Sequence, residues 1–554
     1  MRISRLFILL VFALTGFRTF GQAPFSSWVP PLDIPLAFSG TFGEIRGSHF
    51  HAGVDLKTKG REGFPVRAVS KGSIVRVRVS LSGYGKSLYI EHPNGTTTVY
   101  AHLKKLAPPF EKLLKEVQYQ NESYTVQFYP KGDSWKVETG MVIGYSGNTG
   151  GSLGPHLHFE VRDTRTQEPL NPLNFGIQTP DKLRPIVQNL WVQKVGTLEP
   201  KPIVLEKVND SLWSAPRQSF GGLHGFLIRM FDRQDRSYNK NGVYQLELRV
   251  NGSLLSRFQL DRMSFGDSKK IKELIDYRLY RLQRKTFLKL NDPQSISATF
   301  MEHKSLSLFN FEDGNSYKVD LKISDHSANH TYISFFVEGT YERPSTPVLP
   351  SHIPEKDYRY ASKNSSIYIP KNSFYSPVQT SFEATADTLF VSQDSIPVNK
   401  GIDLRFDFPQ TAANSNTYCI AKLNRKGSLD FVSSTVKEQQ LAAKVSELGT
   451  FVRTQDSLAP EIRPLNFKDQ QWVSRYQYLT LKIQDDFSGI NTYEGRINGQ
   501  WVLFEYEPKT KTLTYDFSDR AFPDGKHELE VTVSDRCQNK AVYKTQFFRK
   551  YGLN

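Results

Sequence analysis

From residue 24 to the end of this chain, apolar and polar residues alternate in short runs that Gly, Asn and Pro repeatedly interrupt. Alternation with period two puts every second side chain on one face, which is the pattern of a strand and not of a helix. Val66-Arg67-Ala68-Val69 and Ser73-Ile74-Val75-Arg76-Val77-Arg78-Val79 are predicted strands. Residues 88–91, the turn His92-Pro93-Asn94-Gly95 and residues 96–103 form a predicted hairpin. Residues 110–120 have helical spacing and read as an insertion beside the sheet. The chain is therefore expected to be mostly β.

The rest of the chain, beyond about residue 180, repeats a motif. Val250-Asn251-Gly252 matches Ile497-Asn498-Gly499, and Ile323-Ser324-Asp325 with Asn329 matches Val533-Ser534-Asp535 with Asn539. An Asp-rich segment precedes each Asn-Gly, around Asp232 and at Asp485-Asp486. In each copy the last Asp/Asn turn separates two alternating strands, 317–323 from 332–337 and 528–533 from 542–548, the pattern of an immunoglobulin-like β-sandwich used twice. Turn formation explains Asp325 and Asp535 better than calcium ligation does. Pro344, Pro347, Pro350 and Pro354 mark a linker before a further β unit. At ~100–200 residues per domain the length predicts three to five domains. The expected organisation is 24–180, a β-sandwich at 181–342, linker and second β unit at 343–456, and a β-sandwich at 457–554.

Residues 1–23 read as a secretory signal: Arg2 and Arg5 precede an apolar run from Leu6 to Phe17, and Gly21-Gln22-Ala23 offers small residues for cleavage. No later run approaches the ~20 apolar residues that span a bilayer, so the mature chain is expected to be exported, periplasmic or extracellular and wall-associated. Two cysteines, Cys419 and Cys537, do not make a disulfide framework. A net charge of +15 suits an anionic polymer such as a cell wall or a membrane surface, and in that compartment nucleic acid is a poor partner. The basic run Lys269, Lys270, Lys272, Arg278, Arg281, Arg284, Lys285 and Lys289 reads first as a solvated helix face.

Chemistry concentrates near the N-terminus, where six of the twelve histidines lie between residues 49 and 158. In Gly154-Pro155-His156-Leu157-His158-Phe159-Glu160 a strand would bury Leu157, Phe159 and Val161 and turn both histidines to the other face. His51 and Asp55 flank Gly53, which allows tight chain passage, and Glu44, Arg46 and His49 lie close by in sequence. Nitrogen and carboxylate donors suit zinc, and three protein ligands leave a position for water. His102 lies in the strand Val99-Tyr100-Ala101-His102-Leu103, on the face expected to carry Thr98 and Tyr100. The Gly-rich loop from Ser146 to Gly154 leads into a strand with no Lys-Ser/Thr and no helix start, which excludes a phosphate loop and favours close approach to a peptide-like substrate.

Together, His51-x-x-x-Asp55, Tyr100-Ala101-His102-Leu103, Ser146-Gly147-Asn148-Thr149-Gly150 and the His156-Leu157-His158 strand resemble the M23 (lysostaphin/LytM-like) zinc metallopeptidases. The resemblance covers about residues 38–175 and says nothing about the later units. It implies an antiparallel-β peptidase domain that binds one Zn2+ ion through His51, Asp55 and His158. His156 would be the general base, and His102 would orient or stabilise the tetrahedral oxyanion. Asn148, Thr149, Gly150 and Tyr100 would line the substrate. The implied partner is the peptide stem of peptidoglycan, with D,D-endopeptidase action preferred over cleavage of glycyl bridges. Some members lack metal ligands and activate other wall hydrolases, so the alternative is a non-catalytic regulator or wall-binding protein. The segment 104–137 is longer than the simplest members need and is expected to wall the groove.

Overall fold

The computed structural model describes residues 28–550 except 48, 198, 269, 291–299, 304–307, 343–349 and 409–416. The predicted signal segment, Lys269, Pro344 and Pro347 lie outside the described residues. The chain is mostly β, as its alternation requires.

The N-terminal unit is built on one antiparallel sheet. Its strands are β1 (Phe38–Gly40), β2 (Val54–Lys57), β3 (Gly72–Val79), β4 (Lys86–Glu91) and β5 (Thr96–Leu106), followed by helix α1 (Pro108–Gln120), β6 (Val142–Ser146) and β7 (His156–Asp163). The central order is β1-β2-β7-β5-β4-β3, with β6 paired to β5. Strand β7, late in the sequence of this unit, sits between β2 and β5, and the two histidine-bearing segments become neighbours. Val54, Leu56, Tyr100, Leu157, Phe159 and Val161 fill one core beneath this sheet.

Helix α1 forms where the spacing predicts it and buries Phe110, Leu114 and Gln118. Its other contacts reach far along the chain. Lys115 pairs with Asp519, and the Tyr119 ring meets Trp501 edge-on with centroids 5.3 Å apart. Trp501 and Leu503 join the core of the N-terminal unit, and Lys86, 2% exposed, places its ammonium 3.0 Å from both carboxylate oxygens of Glu505. The insertion thus docks the C-terminal end of the chain, a role beyond the expected groove wall.

Each repeat copy consists of two packed sheets. In the first, Ser316–Ser324 pairs with His330–Gly339 opposite a sheet containing Ile186–Lys194 and Gly222–Gln234. In the second, Gly525–Asp535 pairs with Lys540–Arg549 opposite a sheet containing Tyr478–Gln484 and Thr512–Asp516. Between the copies lie two five-stranded sheets around Ile367, Leu404 and Phe451. Phe42 and Phe50 leave the N-terminal unit to pack in the core of the first copy.

The basic run differs from its expectation. Part of it folds into the short helices Ile271–Leu274 and Tyr277–Gln283, from which Lys272 and Arg281 grip the middle unit while Arg278 pairs with Glu199. Arg281 binds Asp394 at 2.8 Å and Glu447 at 3.2 Å, and Lys272 donates to the Ser446 carbonyl at 2.9 Å. Cys419 and Cys537 are buried, unbridged thiols, one in the middle unit and one in the last.

Candidate metal centre

Strand register assembles the site. In β7, His158 lies opposite Asp55 of β2 on one side and Ala101 of β5 on the other. His51 precedes β2 in a tight passage that only glycine at position 53 permits, because a Cβ there would stand 2.3 Å from the Phe159 carbonyl oxygen. Three donor atoms converge as a result. His51 Nε2 lies 3.1 Å from Asp55 Oδ1 and 3.0 Å from His158 Nδ1, and His158 Nδ1 lies 2.9 Å from Asp55 Oδ1.

A second ring of contacts sets which nitrogens carry protons. His51 Nδ1–H donates to the Thr41 carbonyl at 2.8 Å, which frees Nε2 as a lone pair. His158 Nε2–H donates to Glu160 Oε1 at 2.8 Å, which frees Nδ1. Glu160 in turn accepts from Tyr84 Oη at 2.5 Å and from Arg162 Nε at 2.6 Å. Asp55 Oδ2 accepts from Arg46 Nη2 at 2.6 Å, which leaves Oδ1 to the centre. Burial opposes ionisation of Glu160, but the Arg162 charge and the His158 hydrogen bond prevail and hold it down at about 2. Burial likewise opposes charge on His158, yet bonds to Asp55 and Glu160 raise it to about 9. Asp55 and Glu160 thus favour positive charge at His158, while burial holds the adjoining His51 below the usual imidazole range.

Two further imidazoles stand beside the three donors. His156 Nε2 lies 3.3 Å from Asp55 Oδ1, while its Nδ1–H donates to the Gly154 carbonyl at 2.8 Å. His102 Nδ1–H donates to the Thr149 carbonyl at 2.8 Å, and its ring centroid is 4.8 Å from that of His156. Burial, followed by the neighbouring His158 and His156, pushes His102 down to about 3.

Tyr100 is a correction. It is 0% exposed, opposite Phe159 in the core, and its hydroxyl accepts from the Val69 N–H at 3.0 Å, so it cannot line a substrate groove. The reason is a β-bulge. Between Tyr100 and Leu103 strand β5 carries one residue more than β4, and His102 takes φ 59° there. The bulge turns His102 away from the face of Thr98 and Tyr100 and toward the histidines of β7. Thr149 acts structurally, with its hydroxyl donating to the Leu103 carbonyl at 3.0 Å and accepting from the Lys86 N–H at 3.0 Å. Gly150, at φ 74°, packs where a Cβ would lie 2.4 Å from the Gly85 nitrogen. The Asn148 carbonyl accepts from Lys509 of the last unit. His49 is exposed, in the short strand His49–Phe50, outside the donor set. Sequence reasoning placed Glu160 and Arg46 in the neighbourhood without a role and missed Tyr84 and Arg162, which have no local signature.

The donors fit a zinc ion. Ligands about 2.0–2.1 Å from a tetrahedral zinc stand roughly 3.3 Å from one another, close to the spacings of 2.9–3.1 Å found here. Residues 49–118 and 115–172 match peptidase family M23. The N-terminal unit is an M23 domain. Residues 353–456 match the Zu5-like domain. The M23 domain is similar to the DD-carboxypeptidase/endopeptidase Mpg of Neisseria meningitidis serogroup B, 34% identical over 131 residues, covering 24% of each chain. It is also similar to lysostaphin of Staphylococcus simulans, 31% identical over 174 residues, covering 31% of this chain and 28% of the relative. A zinc-containing peptidase from Vibrio cholerae superposes with 27% identity over 27% of this chain and 40% of its own, TM-score 0.20. The chain thus spans about a quarter of the length of the curated relatives it matches.

Proposed function

We infer that the M23 domain is a zinc-dependent endopeptidase that hydrolyses peptide cross-links of peptidoglycan outside the cytoplasm. The observation that carries this reading is the convergence of His51 Nε2, Asp55 Oδ1 and His158 Nδ1 within 3.1 Å, with two more imidazoles beside them. His51, Asp55 and His158 would hold the metal through those atoms. When bound, zinc lends Lewis acidity that activates water and polarises a scissile carbonyl.

The chain's own residues supply proton handling. His156 keeps Nδ1–H on the Gly154 carbonyl, so its Nε2 presents a lone pair beside the donor triad and takes the proton of the attacking water. It then returns that proton to the leaving amine. His102, with Nδ1–H on Thr149, also offers a lone pair and not a proton, which favours orienting the water over donating to an oxyanion. The name of the Neisseria relative supports the D,D bond, and the net charge of +15 suits an anionic wall. Mass analysis of muropeptides released from purified sacculi by the zinc-loaded protein tests activity and bond together. Release of stems cut at direct D,D cross-links is expected, and sacculi left intact would favour the non-catalytic regulator.

Glu160→Gln gives a narrower test. Glutamine keeps the shape and one acceptor but removes the charge that anchors His158 Nε2–H and Arg162. Loss of such an outer partner lowers metal affinity by about 10–100-fold. Competition with a chromogenic zinc chelator measures it, and an unchanged affinity would assign Glu160 to packing alone.

A further inference from the structure

A second cluster of oxygen donors lies at the seam between the M23 domain and the first β-sandwich. Asp181, Asp232 and Asp325 each bring a carboxylate oxygen within 4.8 Å of the others. Asp325 also makes the expected turn, with Oδ1 accepting the Asn329 N–H at 2.8 Å and Oδ2 accepting Asn329 Nδ2 at 2.8 Å. The turn alone does not explain Asp232. This residue is 3% exposed, and its Oδ1 is buried with no hydrogen-bond partner. It lines a cavity of about 30 Å³, room for an ion or a single water. Thr179 Oγ1 and Gln234 Oε1 line the same cavity, and they too are buried without a partner.

The repeat supplies an internal comparison. Asp456, at the end of the middle unit, and Asp485 and Asp535 of the last unit occupy the matching places, with Asn539 bound to Asp535 and to the Asp456 carbonyl, as Asn329 is bound to Asp325 and the Asp181 carbonyl. There, however, backbone amides already satisfy the carboxylates. Asp456 Oδ2 accepts from the Ser488 N–H at 3.1 Å, and Asp485 Oδ2 accepts from the Gly489 N–H at 2.7 Å and the Phe487 N–H at 3.1 Å. In the first unit no such amides reach Asp232 Oδ1.

We propose that Asp181, Asp232 and Asp325, with the side-chain oxygens of Gln234 and Thr179, form a calcium site that ties the first β-sandwich to the M23 domain. All five donors are oxygen, which selects a hard cation. An irregular set of carboxylate, amide and hydroxyl groups suits calcium better than the strict octahedron magnesium demands. Without a cation, burial and the neighbouring carboxylates push Asp181 up to about 6 and Asp232 up to about 9, so Asp232 keeps its proton at neutral pH unless positive charge arrives. Thr41, whose carbonyl holds His51 Nδ1–H, also lines the cavity. Calcium here sits beside Thr41, the residue whose carbonyl orients a zinc ligand.

Titration of the full, zinc-loaded chain with calcium chloride, by calorimetry and thermal unfolding, tests the site. One calcium per chain is expected, with an upward shift of the unfolding temperature. Asp232→Asn should weaken binding about tenfold or more while leaving the calcium-free protein folded, because it removes a repelling charge. Asp181→Asn carries the same test should the first variant fail to fold. Asp485→Asn should bind as the wild type does. No heat and no shift at roughly millimolar calcium would overturn the proposal, as water alone would then fill the cavity. So would binding unchanged in both Asp232→Asn and Asp181→Asn, or binding lost in Asp485→Asn instead.

Discussion

His158→Ala is expected to strip the zinc and reduce wall hydrolysis to background. His158 Nδ1 is within 3.0 Å of both other donors, so its removal leaves a nitrogen and a carboxylate, too few to hold the ion against buffer. The loss should exceed the roughly 10–100-fold that follows from removing an outer partner. The fold should survive, because Glu160 keeps Arg162 and Tyr84, and Asp55 keeps Arg46, so neither buried carboxylate is left without a cation or donor. Elemental analysis of the purified variant gives the zinc stoichiometry, and circular dichroism confirms the fold. A folded His158→Ala protein that still carries one zinc and cleaves sacculi would sink the assignment of the metal centre.

What could be read from the sequence follows the range of the interactions. The alternation in 156–161 gives the correct strand and faces, because Leu157, Phe159 and Val161 are driven inward by one local property. Gly53 is marked in sequence by its place between His51 and Asp55, although the Phe159 carbonyl that requires glycine there comes from a strand more than a hundred residues later. The residue pattern puts Tyr100 and His102 on one face because a bulge leaves no mark in it, and only the pairing with β4 reveals the bulge. The supports of the site lie further off. Tyr84 reaches Glu160 across 76 residues, and the contact between Lys86 and Glu505 spans 419. The basic run shows a related limit. Charge density alone does not distinguish a solvated face from a clamp, and Asp394 and Glu447, more than a hundred residues later, decide the outcome. The turn-forming Asp325 was legible locally, whereas its partners Asp181 and Asp232 required the folded unit.

His156→Ala is expected to separate metal binding from catalysis. His156 is not among the three convergent donors. Its Nε2 approaches Asp55 Oδ1 at 3.3 Å, but Asp55 is also held by Arg46 at 2.6 Å, so deletion of the imidazole leaves the carboxylate in place. The variant should therefore keep one zinc. Cleavage should fall by about 10²–10⁴-fold, the usual worth of a positioned general base, with kcat carrying the loss, since the imidazole acts on the proton in flight and not on substrate affinity. The Ser152 and Gly154 contacts fix this ring from one side, at 3.1 and 2.8 Å, and make the orientation of Nε2 a property of the loop. His102→Ala should also retain zinc but lose less activity, because a group that only orients water leaves the proton acceptor intact. Should His156→Ala cleave at more than about a tenth of the wild-type rate, well short of the loss a general base brings, the roles of the two histidines must be exchanged. Should it lose its zinc, His156 belongs with the ligands, and the triad drawn from the three shortest distances is incomplete.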